Sequence, residues 1–321
     1  MAASRCSSVL VNFTRRLSTS TNSSFDLTGI YPPIPTPFNQ DESIAYDKLK
    51  SNFEVWEQLP FKGYLVQGSN GEFKMLRDSE RVKLIAKARE CIGKNKLLLA
   101  GSSCESTLAT VEMSNEMSKA GADAVLIINP SYYRGSMTDG ALHSYYTRVA
   151  DNCKIPVVLY NMPANTGIDM SAALVTDLAK HPNIIGFKES GPDVGKMAQI
   201  VQQTKGLGFQ VLAGSASLLL PALTVGCVGG INGFANVFGA ELCKMVVYFR
   251  EGRLEDAAEL QRRIILPNAM ITRNLGVPAT KAVMDLVDGL YGGPCREPLL
   301  PLTPEQRKSV VETFINAGFM K

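Results

Sequence analysis

Histidine is scarce in this chain: only His143 and His181 occur in 321 residues, both in polar segments that read as surface. A catalytic metal held by imidazole draws on two or three such ligands, so a histidine-built metal centre has almost nothing to use. Cysteine occurs seven times (Cys6, Cys91, Cys104, Cys153, Cys227, Cys243 and Cys295), but with no C-x-x-C pair and no zinc-like spacing. Reduced thiols in a reducing compartment fit that pattern. No apolar run approaches the roughly 18 residues a membrane helix needs, so a soluble chain with no membrane partner is expected. Net charge is also small, 33 Lys and Arg against 30 Asp and Glu. The excess comes from Arg5, Arg15 and Arg16, and the balanced remainder has no footprint for nucleic acid.

Residues 1–25 differ from the rest, with ten Ser or Thr, three Arg, no acid, and Val9, Phe13 and Leu17 spaced along one helical face. That is the composition of an organelle transit peptide. The run Arg15-Arg16-Leu17-Ser18 favours the mitochondrial matrix as destination. A secretory signal fits less well, because no apolar core of roughly 7 to 15 residues follows the first basic residue.

Beyond the leader, eight short apolar runs recur: 30–34, 64–66, 97–100, 124–128, 156–159, 184–187, 211–213 and 228–231. They do not alternate, and Gly, Pro or Asn bound them, as expected of strands buried on both faces of a parallel sheet. Helical patterns lie between them. Ser79 is placed to cap one, with Val82, Ile85 and Ala86 inward; Ser106 opens another, and Ser171 precedes Leu174, Val175 and Leu178. Strand and helix alternating about every 30 residues predict an α/β fold, a (β/α)8 TIM barrel. An open doubly wound sheet is the competing architecture, but no G-x-G-x-x-G follows the first strand. From Gly252 only helical patterns remain, over 254–265, 278–287 and 304–317, with Gly-Gly-Pro at 292–294. The expected organisation is a transit peptide at 1–25, a barrel at 26–251 and a C-terminal helical extension at 252–321.

In a parallel barrel the chemistry sits at the C-terminal ends of the strands. That rule singles out Lys188, which closes the wholly apolar strand Ile184-Ile185-Gly186-Phe187. Lysine ends many strands merely because its ammonium reaches water, but a neutral amine held over a dry barrel can attack a ketone. The same rim would carry Ser69 and Asn70 after the second strand, Tyr132 and Tyr133 after the fourth, Tyr160 on the fifth and Gly214 after the seventh. The run Gly68-Ser69-Asn70-Gly71-Glu72 could bring backbone N–H groups to a carboxylate, or could be an ordinary turn. Glu72 reads as an anchor for that loop, and Tyr160 as a phenol able to relay protons if held beside the reacting carbon.

Together, G-S-N-G-E at 68–72, P-S-Y-Y-R-G at 130–135, Y-N-M-P-A-N-T-G at 160–167 and G-F-K-E-S-G at 186–191 resemble one family. It is that of the pyruvate-dependent class I lyases, which includes dihydrodipicolinate synthase and N-acetylneuraminate lyase. The match runs from about Gly29 to the C-terminus. The resemblance implies a Schiff base on Lys188, proton transfer by Tyr160 with Ser69 in a relay, and Tyr132 reaching into a neighbouring subunit's site. It further implies substrate contacts from Ser69, Asn70, Ser190 and Gly214, no metal, no organic cofactor, and a homotetramer built as a dimer of dimers.

Two departures bear on the substrate. Asn165 stands where the synthases usually carry an arginine for the second substrate's carboxylate, and Ser69-Asn70 replaces their Thr-Thr pair. These departures weaken the synthase reading. Within the family the motif set looks most like an aldolase, so cleavage of 4-hydroxy-2-oxoglutarate to pyruvate and glyoxylate is the activity the resemblance implies. A lyase for 2-keto-3-deoxy sugar acids or sialic acid, and a dihydrodipicolinate synthase, are the alternatives within the chemistry. A non-catalytic oligomeric scaffold is the alternative outside it.

Overall fold

The computed structural model describes residues 25–321; the expected transit peptide at 1–25 lies outside them but for its last residue. Nine strand segments form one wholly parallel sheet: β1 (Gly29–Tyr31), β2 (Pro33–Ile34), β3 (Gly63–Val66), β4 (Leu97–Gly101), β5 (Ala124–Ile128), β6 (Val157–Asn161), β7 (Ile184–Glu189), β8 (Gln210–Ala213) and β9 (Gly229–Ile231). They occupy eight positions. β1 pairs with β9 and β2 with β3, so the single stretch 29–34 closes the barrel, and Pro32, which has no N–H to donate, divides it. All eight expected apolar runs are strands.

Helices return the chain between strands: α1 (Tyr46–Trp56), α2 (Asp78–Cys91), α3 (Thr107–Lys119), α4 (Asp139–Asn152), α5 (Pro163–Thr166), α6 (Ala172–Leu178), α7 (Val194–Gln203), α8 (Leu219–Thr224) and α9 (Ala235–Arg250). Ser106 and Ser171 cap as expected, accepting hydrogen bonds from Ala109 N and Leu174 N. Ser79 does not cap. α2 starts two residues earlier than such a cap would place it, with Glu80 turned back onto the Arg77 N–H, and its buried stripe is Arg81, Leu84, Ile85 and Ala88. The only tryptophan, Trp56 of α1, donates its indole N–H to Asn236 O of α9 at 3.0 Å. The helical layer is thus joined across the same seam that closes the sheet.

Strand side chains alternate between two cores. Leu159, Phe187, Val211 and Tyr64 face the helices, whereas Tyr31, Leu65, Leu99, Leu126, Val158, Tyr160 and Leu212 fill the barrel. Each such buried apolar side chain contributes roughly 2 kcal/mol. The barrel interior is therefore a packed plug and not a channel.

From residue 254 the chain is helical again in α10 (Leu254–Ala269), α11 (Gly276–Met284) and α12 (Pro304–Asn316). α10 docks against the loop after β8: Gln261 Nε2 donates to Ala216 O and Asn268 Nδ2 to Ser217 Oγ. The segment after α11 grips another part of the same rim, where Arg296 donates to both carboxylate oxygens of Glu80 at 2.8 and 2.9 Å. These helices brace the loops on the strands' C-terminal ends. No helix among the described residues is long and apolar enough to cross a membrane.

Candidate active site

Parallel pairing sets Tyr160 of β6 directly beside Lys188 of β7, and Asn161 beside Glu189. Since successive side chains alternate, the first pair faces the barrel interior and the second the helices. Lys188 is 3% exposed, and its Nζ lies 3.9 Å from the centre of the Tyr160 ring. Among the described residues it is in no ion pair. A buried amine with no carboxylate against it is a candidate nucleophile toward a ketone.

Tyr160 is 4% exposed, and its hydroxyl stands 3.5 Å from Ser69 Oγ. Burial alone would push this phenol's pKa up. The charge of Lys188, with hydrogen bonds from Ser69, Ser190 and Lys188 itself, outweighs that and holds it below the ordinary tyrosine value. The phenolate is thereby easier to reach, as a proton acceptor needs.

The loop after β3 supplies the next wall. Ser69 opens a single 3-10 turn, and the adjoining Asn70 has a buried Nδ2 without a hydrogen-bond partner. A Cβ placed on Gly233 would come within 2.8 Å of that nitrogen, so the amide faces the loop after β9. A buried donor left unpaired costs about 1–3 kcal/mol, a cost a bound carboxylate would relieve. Glu72 anchors this loop as expected. It is buried with left-handed backbone (φ 54°), approaches Lys281 Nζ of α11 to 2.6 Å, and accepts the Arg296 backbone N–H.

Ser190 and Gly214 meet on the far side. A Cβ on Gly214 would collide with Ser190 Oγ and lie 2.7 Å from Glu189 O, so only glycine lets these two loops close. Tyr132 is not brought to the site. It is 80% exposed, edge-on to Tyr133 at 5.1 Å, and its N–H is held by Glu105. Within one chain the cluster is Lys188, Tyr160, Ser69, Asn70, Ser190 and Gly214. His143 lies on α4 and His181 in the turn before β7, paired with Asp177 and Asp151 respectively. His181, with its side chain only 16% exposed, is more enclosed than its polar segment suggested.

Sequence reasoning gave no role to the support behind the pair. Asn161 Nδ2 donates to Glu189 Oε1 at 2.8 Å and to Asp169 at 2.6 Å, the Gly191 N–H closes on Glu189, and Lys196 bridges Glu189 and Asp169. Burial pulls Lys196 down, but its two acids outweigh that and raise its pKa. This network ties the strands bearing Tyr160 and Lys188 at adjacent positions. Its signal was period two: a polar residue directly after an inward one must face the helices, and needs a partner there.

Known proteins resemble this chain in sequence and in fold. Residues 26–317 match the model of the dihydrodipicolinate synthetase family. The chain is 34% identical over 294 residues to a protein of Methanococcoides burtonii named 4-hydroxy-tetrahydrodipicolinate synthase, covering 91% of this chain and 99% of that one. It is 35% identical over 293 residues to one of the same name from Methanoculleus marisnigri, covering 90% and 99%. Among solved structures, YagE of E. coli K12, described as a prophage protein of the dihydrodipicolinic acid synthase family in complex with pyruvate, superposes with a TM-score of 0.86. It is 27% identical and covers 91% of this chain and 99% of that one. By sequence and by fold, the chain belongs to the dihydrodipicolinate synthetase family.

Proposed function

We propose that this protein is a class I aldolase that cleaves 4-hydroxy-2-oxoglutarate into pyruvate and glyoxylate. The observation that carries it is the buried, acid-free amine of Lys188 against Tyr160. Lys188 adds to the C2 carbonyl and water leaves, forming an iminium. Tyr160 takes the proton of the C4 hydroxyl, the C3–C4 bond breaks, and its electron pair moves into the iminium as an enamine. Glyoxylate departs; the enamine is protonated at C3, and water hydrolyses the imine to release pyruvate and the free amine. Ser69 relays the proton, the α-carboxylate rests on the Ser69 and Asn70 loop, and Ser190 and Gly214 line the pocket. No metal or organic cofactor enters this chemistry. The resemblance that suggests it is to mitochondrial 4-hydroxy-2-oxoglutarate aldolase, and the leader composition at 1–25 supports a matrix enzyme of glyoxylate and hydroxyproline metabolism.

Pyruvate release from 4-hydroxy-2-oxoglutarate by the purified protein, with a chelator present, tests the reading. No release from a folded sample that still forms a borohydride-trapped pyruvate adduct on Lys188 would end it. A second reading, condensation of pyruvate with an amino-acid semialdehyde, is supported by the names of the curated relatives more directly than the first. Against it stands Asn165, an exposed amide at the position where, by the motif resemblance, dihydrodipicolinate synthases usually carry an arginine. We also propose a dimer of dimers in which the exposed Tyr132 completes a neighbour's site. Full turnover in a verified monomer would refute that.

A further inference from the structure

We propose that Arg134 recognises the distal carboxylate of a 2-oxo dicarboxylic acid substrate, an inference that rests on the aldolase reading of the same site. The eight loops at the strands' C-terminal ends carry three cationic side chains, Lys74, Arg77 and Arg134. Lys74 pairs with Glu105 at 2.9 Å, and Arg77 lies beside Glu80. Among the described residues, Arg134 is in no ion pair and no side-chain hydrogen bond.

Its guanidinium lies against the turn that follows Tyr160. Gly167 ends α5 with φ +67°, and a Cβ built there would meet Arg134 Nη1 first, then Cδ at 2.9 Å and Cζ at 3.3 Å. The absent side chain is what lets the arginine lie over this turn, two residues from the uncharged Asn165. Order along the substrate supplies the rest. With C1 seated at Ser69 and Asn70, C2 bonded to Lys188 and the C4 hydroxyl at Tyr160, the C5 carboxylate extends one carbon past Tyr160, toward 163–167. A planar guanidinium there can bind it with two parallel hydrogen bonds.

The test compares kcat/KM for 4-hydroxy-2-oxoglutarate and for 4-hydroxy-2-oxopentanoate, in which a methyl replaces the distal carboxylate. Wild type, Arg134→Ala, Arg134→Lys and Gly167→Ala are each checked for the borohydride-trapped pyruvate adduct. The expected result is a roughly 10- to 100-fold fall in the dicarboxylate preference in Arg134→Ala, carried mainly by KM. Arg134→Lys should recover part of it, because charge is kept and the fork is lost. Gly167→Ala should lower the preference too, by displacing the guanidinium. An unchanged preference, or equal losses on both substrates, would overturn the inference while leaving the aldolase reading intact. A wild type that traps pyruvate yet cleaves neither compound would overturn both.

Discussion

Lys188 and Lys281 are both buried, at 3% and 1% exposure, and both lie over an aromatic ring, Tyr160 at 3.9 Å and Phe38 at 4.5 Å. Their surroundings differ in one respect. Lys281 meets the buried carboxylate of Glu72 at 2.6 Å and donates to Pro294 O, whereas Lys188 has a phenol and no acid. The Lys281 amine is taken up by a carboxylate and a carbonyl, and it serves to fasten α11 to the loop that bears Ser69. Burial alone does not make a lysine a nucleophile. The partner decides.

The sharpest way to break this contrast is to remove each amine. On the imine reading, Lys188→Ala should lower turnover by a factor on the order of 10⁵ while the melting temperature barely moves. Retained turnover would remove the mechanism. Tyr160→Phe should cost roughly 10²- to 10⁴-fold in kcat yet still form the trapped pyruvate adduct, separating imine formation from proton transfer. An unchanged rate would exclude Tyr160 from that step. Lys281→Met should do the reverse. By stranding the Glu72 charge it should cost about 3–5 kcal/mol of unfolding free energy, read by urea denaturation, whereas Lys281→Met combined with Glu72→Leu should recover much of the loss. Stability equal to wild type in the single variant would show that Lys281 fastens nothing.

A smaller effect is expected at Arg296, whose hydrogen bonds hold the Glu80 carboxyl below its ordinary 4.5. Because that pKa is depressed in the folded state, the stabilisation is present above the unfolded value and fades as pH falls through the folded one. Arg296→Met should therefore cost about 1 kcal/mol at pH 7, after solvent screening, with the gap to wild type narrowing below pH 4.5. A gap independent of pH would assign Arg296's contribution to its hydrogen bonds to Met75 O and Glu42 O instead. The smallest response is expected of three enclosed thiols, Cys227 and Cys243 buried and Cys295 half-buried. Burial pushes Cys227, Cys243 and Cys295 up to about 12, so iodoacetamide at pH 8 should leave them unlabelled until the chain unfolds.

Much of this was legible before any coordinates. The strands were, because a parallel barrel buries both faces of each, and runs such as Ala124–Ile128 have no polar residue to confuse the reading. Lys188 was legible because one charge ended such a run. Helix boundaries were harder: Ser79 looked like a cap, but Glu80 is shared between the Arg77 N–H and the distant Arg296, and that contact spans 216 residues of sequence. The buried Asn161–Glu189–Lys196 network was within reach of period-two reasoning, though its partner in α7 was not.

What the sequence determined by itself is the barrel and the identity of its rim, since apolar runs of strand length and their spacing follow from short-range chemistry. Only the tertiary structure decided which lysine is free. Glu72 lies 209 positions from Lys281, and nothing local announces that they meet. Tyr160 and Lys188 adjoin only because β6 and β7 pair in one register. Reactivity depends on distances of a few ångströms between residues far apart in the chain, and folding alone sets those distances.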